Sequence, residues 1–271
     1  MLEGRQRDGT VILEAQGICK YFGGLRAVDQ VDMKIMKGDI FGIIGPNGAG
    51  KTTFFNVCSG IYPPTQGKIL FNGEDITGMK PEQISRKRMT RTFQNIQLFK
   101  FMTVLENVKI GCHINTKTNL FDAIVRNGTY KNDEKYTVEK SMQILEEIGL
   151  ADYAQTKAGN LPYGLQRKVE IARALALDPE ILLLDEPAAG MNPNETMELK
   201  DFILELHEKG LTITVIEHDM RFIMSACNYI LVLNFGQKIF EGYPDEVKAN
   251  PEVQEAYFGK GLVVRDGYAE N

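Results

Sequence analysis

Residues 45–52 read Gly45-Pro46-Asn47-Gly48-Ala49-Gly50-Lys51-Thr52, a full match to the pattern G-x-x-x-x-G-K-[ST]. The residue types dictate the chemistry. Glycines at these positions let successive backbone N–H groups turn inward around phosphate oxygens, and Lys51 brings a point charge to the β- and γ-phosphates. The Thr52 hydroxyl suits Mg²⁺, and a helix opening near Lys51 adds its positive end to the same anion site. Upstream, Ile40–Ile44 reads as a short apolar strand; downstream, Thr52–Cys58 reads as a helix. A strand, a phosphate loop and a helix in that order predict an α/β nucleotide-binding core.

The bulk properties fit such a core. With 271 residues, 43% hydrophobic and 25% charged, the chain is ordinary for a globular protein with a sizeable interior. A net charge of −5 argues against a dedicated nucleic-acid binder, which presents a basic face. The cluster Arg86, Lys87, Arg88 and Arg91 reads as a solvated helix face. Cys19, Cys58, Cys112 and Cys227 are scattered, so neither a disulfide framework nor zinc is indicated. The polar start, Met1 to Asp8, is not a signal peptide, and no apolar run reaches the roughly 20 residues of a membrane span.

Val11–Ile18, Val31–Ile35 and Lys68–Phe71 alternate like half-buried strands, with turns at Gly23-Gly24 and Lys37-Gly38-Asp39. They predict a small antiparallel sheet leading into the phosphate-loop strand. Thr103–His113 and Glu134–Ile148 have helical spacing, separated by a polar stretch from Asn115 to Asp133. Ile181–Leu184 and Leu211–Ile216 are continuous apolar runs of the kind found in buried parallel strands. Ile230–Leu233 and Lys238–Phe240 close the core, and short helices are expected near Asp245–Ala249 and Pro251–Phe258. The expected organisation is residues 1–94 for the antiparallel region and phosphate-loop core, and 95–165 for an inserted helical subdomain. Residues 166–242 complete the α/β core, and 243–271 form short helices and a tail.

Leu184-Asp185-Glu186-Pro187 ends an apolar strand in two adjacent carboxylates. At the C-terminal edge of a parallel sheet they divide labour: Asp185 holds Mg²⁺, and Glu186 polarises the water that attacks phosphorus. Gln94 follows the strand-like Thr90–Phe93 at the entry to the helical region, where it can reach Mg²⁺ or the lytic water. His218 follows the strand ending at Ile216 and is a candidate γ-phosphate contact. Phe22, before Gly23-Gly24, is a candidate for stacking on adenine, against the alternative of an ordinary core aromatic.

Together these stretches resemble the ABC-transporter ATPase family along essentially the whole chain. The resemblance rests on Gly45–Thr53, Gln94, Leu161-Pro162-Tyr163-Gly164-Leu165-Gln166-Arg167, Leu184–Pro187 and His218, in that order. It implies ATP and Mg²⁺ as ligands and a P-loop core with a mainly parallel sheet. An N-terminal antiparallel β subdomain and an inserted helical subdomain complete the implied architecture. Nucleotide contacts fall on Phe22, Gly45, Pro46, Asn47, Gly48, Ala49, Gly50, Lys51, Thr52 and Thr53. Metal contacts fall on Thr52, Gln94 and Asp185, and the catalytic roles on Glu186, His218 and Gln94. The family signature, Leu-Ser-Gly-Gly-Gln in its usual form, falls on Leu161–Leu165, so that Tyr163 and Gly164 would face ATP held by an opposite subunit.

A narrower resemblance is to the branched-chain amino acid importers. It lies in Leu161–Gly164 with Gln166–Ala176, in Asp185–Pro193, in Tyr21–Val28 and in Pro251–Gly259. It implies a second, distinct ATPase subunit, two membrane permeases and an external substrate-binding protein, with the chain held at the cytoplasmic face of the membrane. Phe99, Phe101 and Met102 would either receive a permease helix or pack the helical region. Another cargo, such as urea or lipopolysaccharide, stays open. A soluble ABC-type ATPase acting on DNA or the ribosome is disfavoured by the acidic charge and the single phosphate loop.

The chain departs from the usual family pattern at three positions. Pro162 replaces a serine and so lacks both a hydroxyl and a backbone N–H. Leu165 replaces a glutamine and Asn192 an aspartate. The first change predicts two unequal ATP sites in a heterodimer.

Overall fold

The computed structural model describes residues 9–115, 122, 125 and 127–258. In chain order they form β1 (Val11–Phe22), β2 (Leu25–Met36), β3 (Ile40–Ile44), α1 (Lys51–Cys58), β4 (Gln66–Phe71) and β5 (Glu74–Asp75). Then come α2 (Pro81–Arg86), β6 (Met89–Arg91), α3 (Val104–Cys112), α4 (Gly128–Glu147), α5 (Tyr163–Leu175), β7 (Ile181–Asp185) and α6 (Pro193–Glu208). The chain finishes with β8 (Thr212–Ile216), α7 (Met220–Ala226), β9 (Tyr229–Asn234), β10 (Gln237–Gly242), α8 (Pro244–Ala249) and α9 (Pro251–Phe258). These elements fall into two compact units. One runs up to Pro81 and resumes at Thr212; the other is Glu82–Leu211.

In the first unit, β2, β1, β4 and β5 form an antiparallel sheet in that order. The strands outrun the alternating stretches of the sequence. β1 continues past Ile18 because Gly17, at φ 56°, absorbs a register shift in its pairing with β4 between Gln16 and Cys19. The same unit holds β3 between β8 and β9, parallel to both, with Ile40 opposite Ile213 and Phe41 opposite Tyr229. All five residues of β3 and all five of β8 are buried, as expected of strands covered on both faces. At about 2 kcal/mol for each large apolar side chain buried, these runs anchor the loop that follows β3.

In the second unit, β6 runs parallel to β7, with Met89 opposite Ile181 and Arg91 opposite Leu183. Helix α3 opens on a capping box in which Thr103 and Glu106 satisfy each other's backbone N–H groups. Helix α4 begins at Gly128, six residues before the helical spacing becomes readable. Asn127 caps it, and its first turn is polar because it is largely solvent-facing. Of the intervening polar stretch, residues 116–121, 123, 124 and 126 lie outside the described residues, and its last six belong to α4. α6 opens on Asn192, whose Oδ1 accepts from the amides of Asn194 and Glu195 at 2.9 and 3.0 Å, with Pro193 next in the first turn. Asn192 thus caps the helix without adding charge.

The basic cluster is not one solvated face. α2 ends at Arg86, whereas Arg91 lies in β6 and is nearly buried against Asp185. The apolar ladder with β7 carries it inward, where a carboxylate meets it. No helix among the described residues is long and apolar enough to cross a membrane.

Candidate functional site

The phosphate loop belongs to the first unit, whereas Gln94, the two carboxylates and the signature belong to the second. β3 delivers the chain to Gly45, and the loop is held by its own backbone and by the turn between β9 and β10. Ala49 N–H donates to the Pro46 carbonyl at 3.1 Å, and Gly236 N–H donates to that of Ala49 at 3.0 Å. Gly50 sits at φ 95°, and a Cβ there would lie 2.4 Å from the Ala27 carbonyl oxygen, so only glycine fits. Lys51 is buried at 4% exposure, and its ammonium donates to the carbonyls of Gly45 and Pro46 at 2.6 and 3.0 Å. This charge inside a ring of backbone groups, at the start of α1, is suited to a polyphosphate. Pro46, Asn47, Gly48 and Ala49 also border a cleft of about 480 Å³. Glu252 and Glu255 line that cleft, which gives it the wrong sign for phosphate. From α9, Tyr257 places a buried hydroxyl beside the Gly45 amide, and burial raises its pKa.

Thr52 is exposed and Thr53 half-buried at the start of α1. His218 is exposed just beyond β8, its backbone N–H donating to the Glu217 carboxylate at 3.1 Å. Phe22 is 42% exposed, meets Tyr62 edge-on at 5.5 Å between ring centres, and has the Lys20 ammonium 5.1 Å from its centroid. The ring is therefore not a core aromatic and keeps a free surface.

The second unit gathers the carboxylates tightly. Asp185, the last residue of β7, pairs with Arg91 at 2.5 Å, with both side chains under a tenth exposed. Glu186 is 7% exposed and holds a left-handed backbone at φ 45°, an unfavourable conformation for a non-glycine residue. Such strain persists only where the surroundings over-determine it, and it clusters at functional sites. Gln94 Nε2 donates to Glu186 Oε2 at 2.7 Å. The expected neighbours Gln94, Asp185 and Glu186 are brought together.

Tyr163 and Gly164 open α5, whose N-cap is Pro162 and carries no side-chain cap. The Tyr163 ring lies within 3.9 Å of where a Cβ on Gly190 would stand. Two turns of the same helix hold what sequence reading missed. Arg167, fully buried, donates to the backbone carbonyls of Phe93 and Gln94 at 2.8 and 2.7 Å and to Glu170 Oε2 at 2.7 Å. Glu170, 1% exposed, accepts from the Gln97 amide at 3.0 Å, and Arg173 donates to the Gln97 carbonyl at 2.5 Å. Burial pushes the Glu170 carboxyl above its usual range against the opposing pull of the Gln97 amide and Arg167. Burial likewise lowers Arg173, with Glu170 pulling the other way. The legible signal was an Arg–Glu pair three residues apart within the apolar stripe of Val169, Ile171 and Ala172.

Residues 28–189 match the family described as ABC transporter, and residues 237–262 match the branched-chain amino acid ATP-binding cassette transporter family. The chain belongs to the ABC transporter ATP-binding family. It is 44% identical to the high-affinity branched-chain amino acid transport ATP-binding protein BraF of Pseudomonas aeruginosa, over 92% of this chain and 98% of that one. It is 42% identical to the corresponding protein LivG of Escherichia coli over the same shares. Among solved structures, the ADP conformation of MJ1267, an ATP-binding cassette of an ABC transporter, matches with a TM-score of 0.81 at 37% identity. That match covers 92% of this chain and 99% of the other. The ABC ATPase fold expected from the motifs is therefore the fold of the chain.

The donor chemistry fits Mg²⁺. A threonine hydroxyl and a carboxylate are hard oxygen ligands, and a nucleotide site leaves the remaining positions to phosphate and water. Among the described residues no cluster of three or more His, Cys, Asp or Glu side chains forms an all-protein metal cage.

Proposed function

We propose that this ABC family member is the ATP-hydrolysing subunit of a bacterial importer for branched-chain amino acids. The observation that carries hydrolysis is Glu186, strained at φ 45° and hydrogen-bonded to Gln94 at the end of β7. In this reading ATP lies with its phosphates on Gly45–Thr53, its adenine against Phe22, and Lys51 on the β- and γ-phosphates. Thr52, Asp185 and Gln94 would hold Mg²⁺, which would neutralise charge at the phosphates. Glu186 accepts a proton from the attacking water as its oxygen bonds to the γ-phosphorus. The bond from that phosphorus to the bridging oxygen breaks, and its electron pair leaves with ADP. His218 contacts the γ-phosphoryl group and Gln94 orients the water.

ATP drives two such subunits to close head to tail, because each contributes its signature, here Tyr163 and Gly164, to the other's nucleotide. Loss of the γ-phosphate removes the differential contacts that favour the closed pair. Two permeases and an external substrate-binding protein complete the assembly at the cytoplasmic face. Phe101, 92% exposed, and Phe99, 53% exposed, are available to a permease helix rather than packed inward. Pro162, with neither hydroxyl nor N–H, makes the site it completes the slower of two in a heterodimer.

The cargo reading is supported by the match over residues 237–262 and by the printed names of the relatives. Uptake by the reconstituted transporter tests it. Leucine, isoleucine and valine should enter in an ATP-dependent manner and urea should not, and Glu186→Gln should abolish uptake. Preferential uptake of urea would overturn the cargo, and full uptake by the variant would overturn the mechanism.

A further inference from the structure

Residues 92–103, between β6 and α3, contain no helix or strand, yet they include Gln94. Their backbone groups need partners, since a buried, unsatisfied carbonyl or amide costs about 1–3 kcal/mol. The partners come from α5. The carbonyls of Phe93 and Gln94 accept from Arg167, the Gln97 amide donates to Glu170, and the Gln97 carbonyl accepts from Arg173. Further on, Asn107 clamps Phe99 from both sides, donating to its carbonyl at 3.1 Å and accepting from its amide at 2.9 Å.

We propose that Arg167 and Glu170 are positioning residues for Gln94, tying the placement of its amide on Glu186 to the placement of the signature helix. Each of Arg167's two terminal nitrogens bonds the segment, so a shift of α5 drags the backbone on both sides of the Gln94 α-carbon. Helix α5 begins with the signature residues at Tyr163 and Gly164, holds the Phe93 and Gln94 carbonyls from its second turn, and holds Gln97 from its second and third turns. One rigid body thus carries the group offered to the opposite subunit and the brace on this chain's own water-orienting amide. A buried ion pair is expensive to keep for stability alone, because an apolar pair of equal volume often does as well or better. Its aim at the backbone of one functional residue gives it a second task. The inference rests on the reading of Glu186 and Gln94 as hydrolytic groups.

The test is a mutant cycle in the full chain, measuring Mg-ATP turnover and, separately, affinity for a fluorescent ATP analogue. Arg167→Lys keeps the charge and loses the two-pronged grip, and Glu170→Gln keeps an acceptor for Gln97 and loses the charge. Each should lower kcat about tenfold while KM and analogue affinity change less than about twofold. Combined with Gln94→Ala, either should leave kcat within about twofold of the Gln94→Ala value, since the brace acts only through that amide. Multiplying effects, wild-type kcat in both single variants, or loss of cooperative unfolding in both would overturn the proposal. Glu186→Gln separates the two levels. If it keeps turnover, the hydrolytic reading fails; if it loses turnover while Arg167→Lys does not, only the brace fails.

Discussion

The phosphate loop and the Gln94 segment are both irregular stretches that leave a parallel strand, β3 in one case and β6 in the other. They are held in opposite ways. The loop is held by backbone groups: Lys51 bonds carbonyls six and five residues back, Gly236 donates to the Ala49 carbonyl, and Gly50 fits under Ala27 because it has no Cβ. The Gln94 segment is held by charged side chains 73 to 76 positions away in sequence, of which Arg167 and Glu170 are buried. A loop held by backbone groups of its own unit presents a fixed cradle. A segment held by a distant helix moves with that helix, and this difference suits one region to binding and the other to switching.

The largest break in this contrast is Lys51→Ala. It should reduce Mg-ATP turnover by about 10²- to 10³-fold, the scale of losing one charge-stabilising group, with analogue affinity falling in the same titrations. Gly50→Ala comes next. Its new Cβ would need to stand 2.4 Å from a backbone oxygen, in a backbone at φ 95°. A stability loss of about 2–4 kcal/mol in urea unfolding is expected, and a wild-type midpoint would show that the loop yields more than its geometry implies.

Smaller still is a pH effect confined to the other region. Burial lifts the Glu170 carboxyl above its ordinary 4.5, so its ionisation opposes folding. The penalty is absent below that ordinary value and grows as pH rises through the lifted one. Glu170→Gln should remove that decline, read as a flatter dependence of the unfolding midpoint as pH rises above 4.5. Least of all should be Phe101→Asp, at an exposed ring. It should leave stability within about 0.5 kcal/mol and nucleotide affinity unchanged, while lowering copurification with the permease. Unfolding by this change would return Phe101 to the core.

The same contrast explains what could be read in advance. Gly45–Thr52, Leu184–Pro187 and the apolar runs at Ile40, Ile181 and Leu211 are contiguous, so the chemistry or strand character is written in adjacent residues. Arg91 misled because its partner Asp185 is 94 positions away, and four basic residues within six look like a solvated face. Arg167 and Glu170 sat in a stretch noted only for its helical spacing and signature, and no local pattern says where a buried guanidinium points. The strain at Glu186 is equally silent, because a left-handed backbone at a glutamate is imposed by its surroundings rather than by its own preference.

The central claim is that binding resides in the loop and turnover in Glu186. The most direct measurement is ATP affinity beside steady-state hydrolysis for Glu186→Gln in the full chain. The account predicts affinity within about twofold of wild type and turnover lowered by at least about 10²-fold. Wild-type turnover in that variant would contradict it.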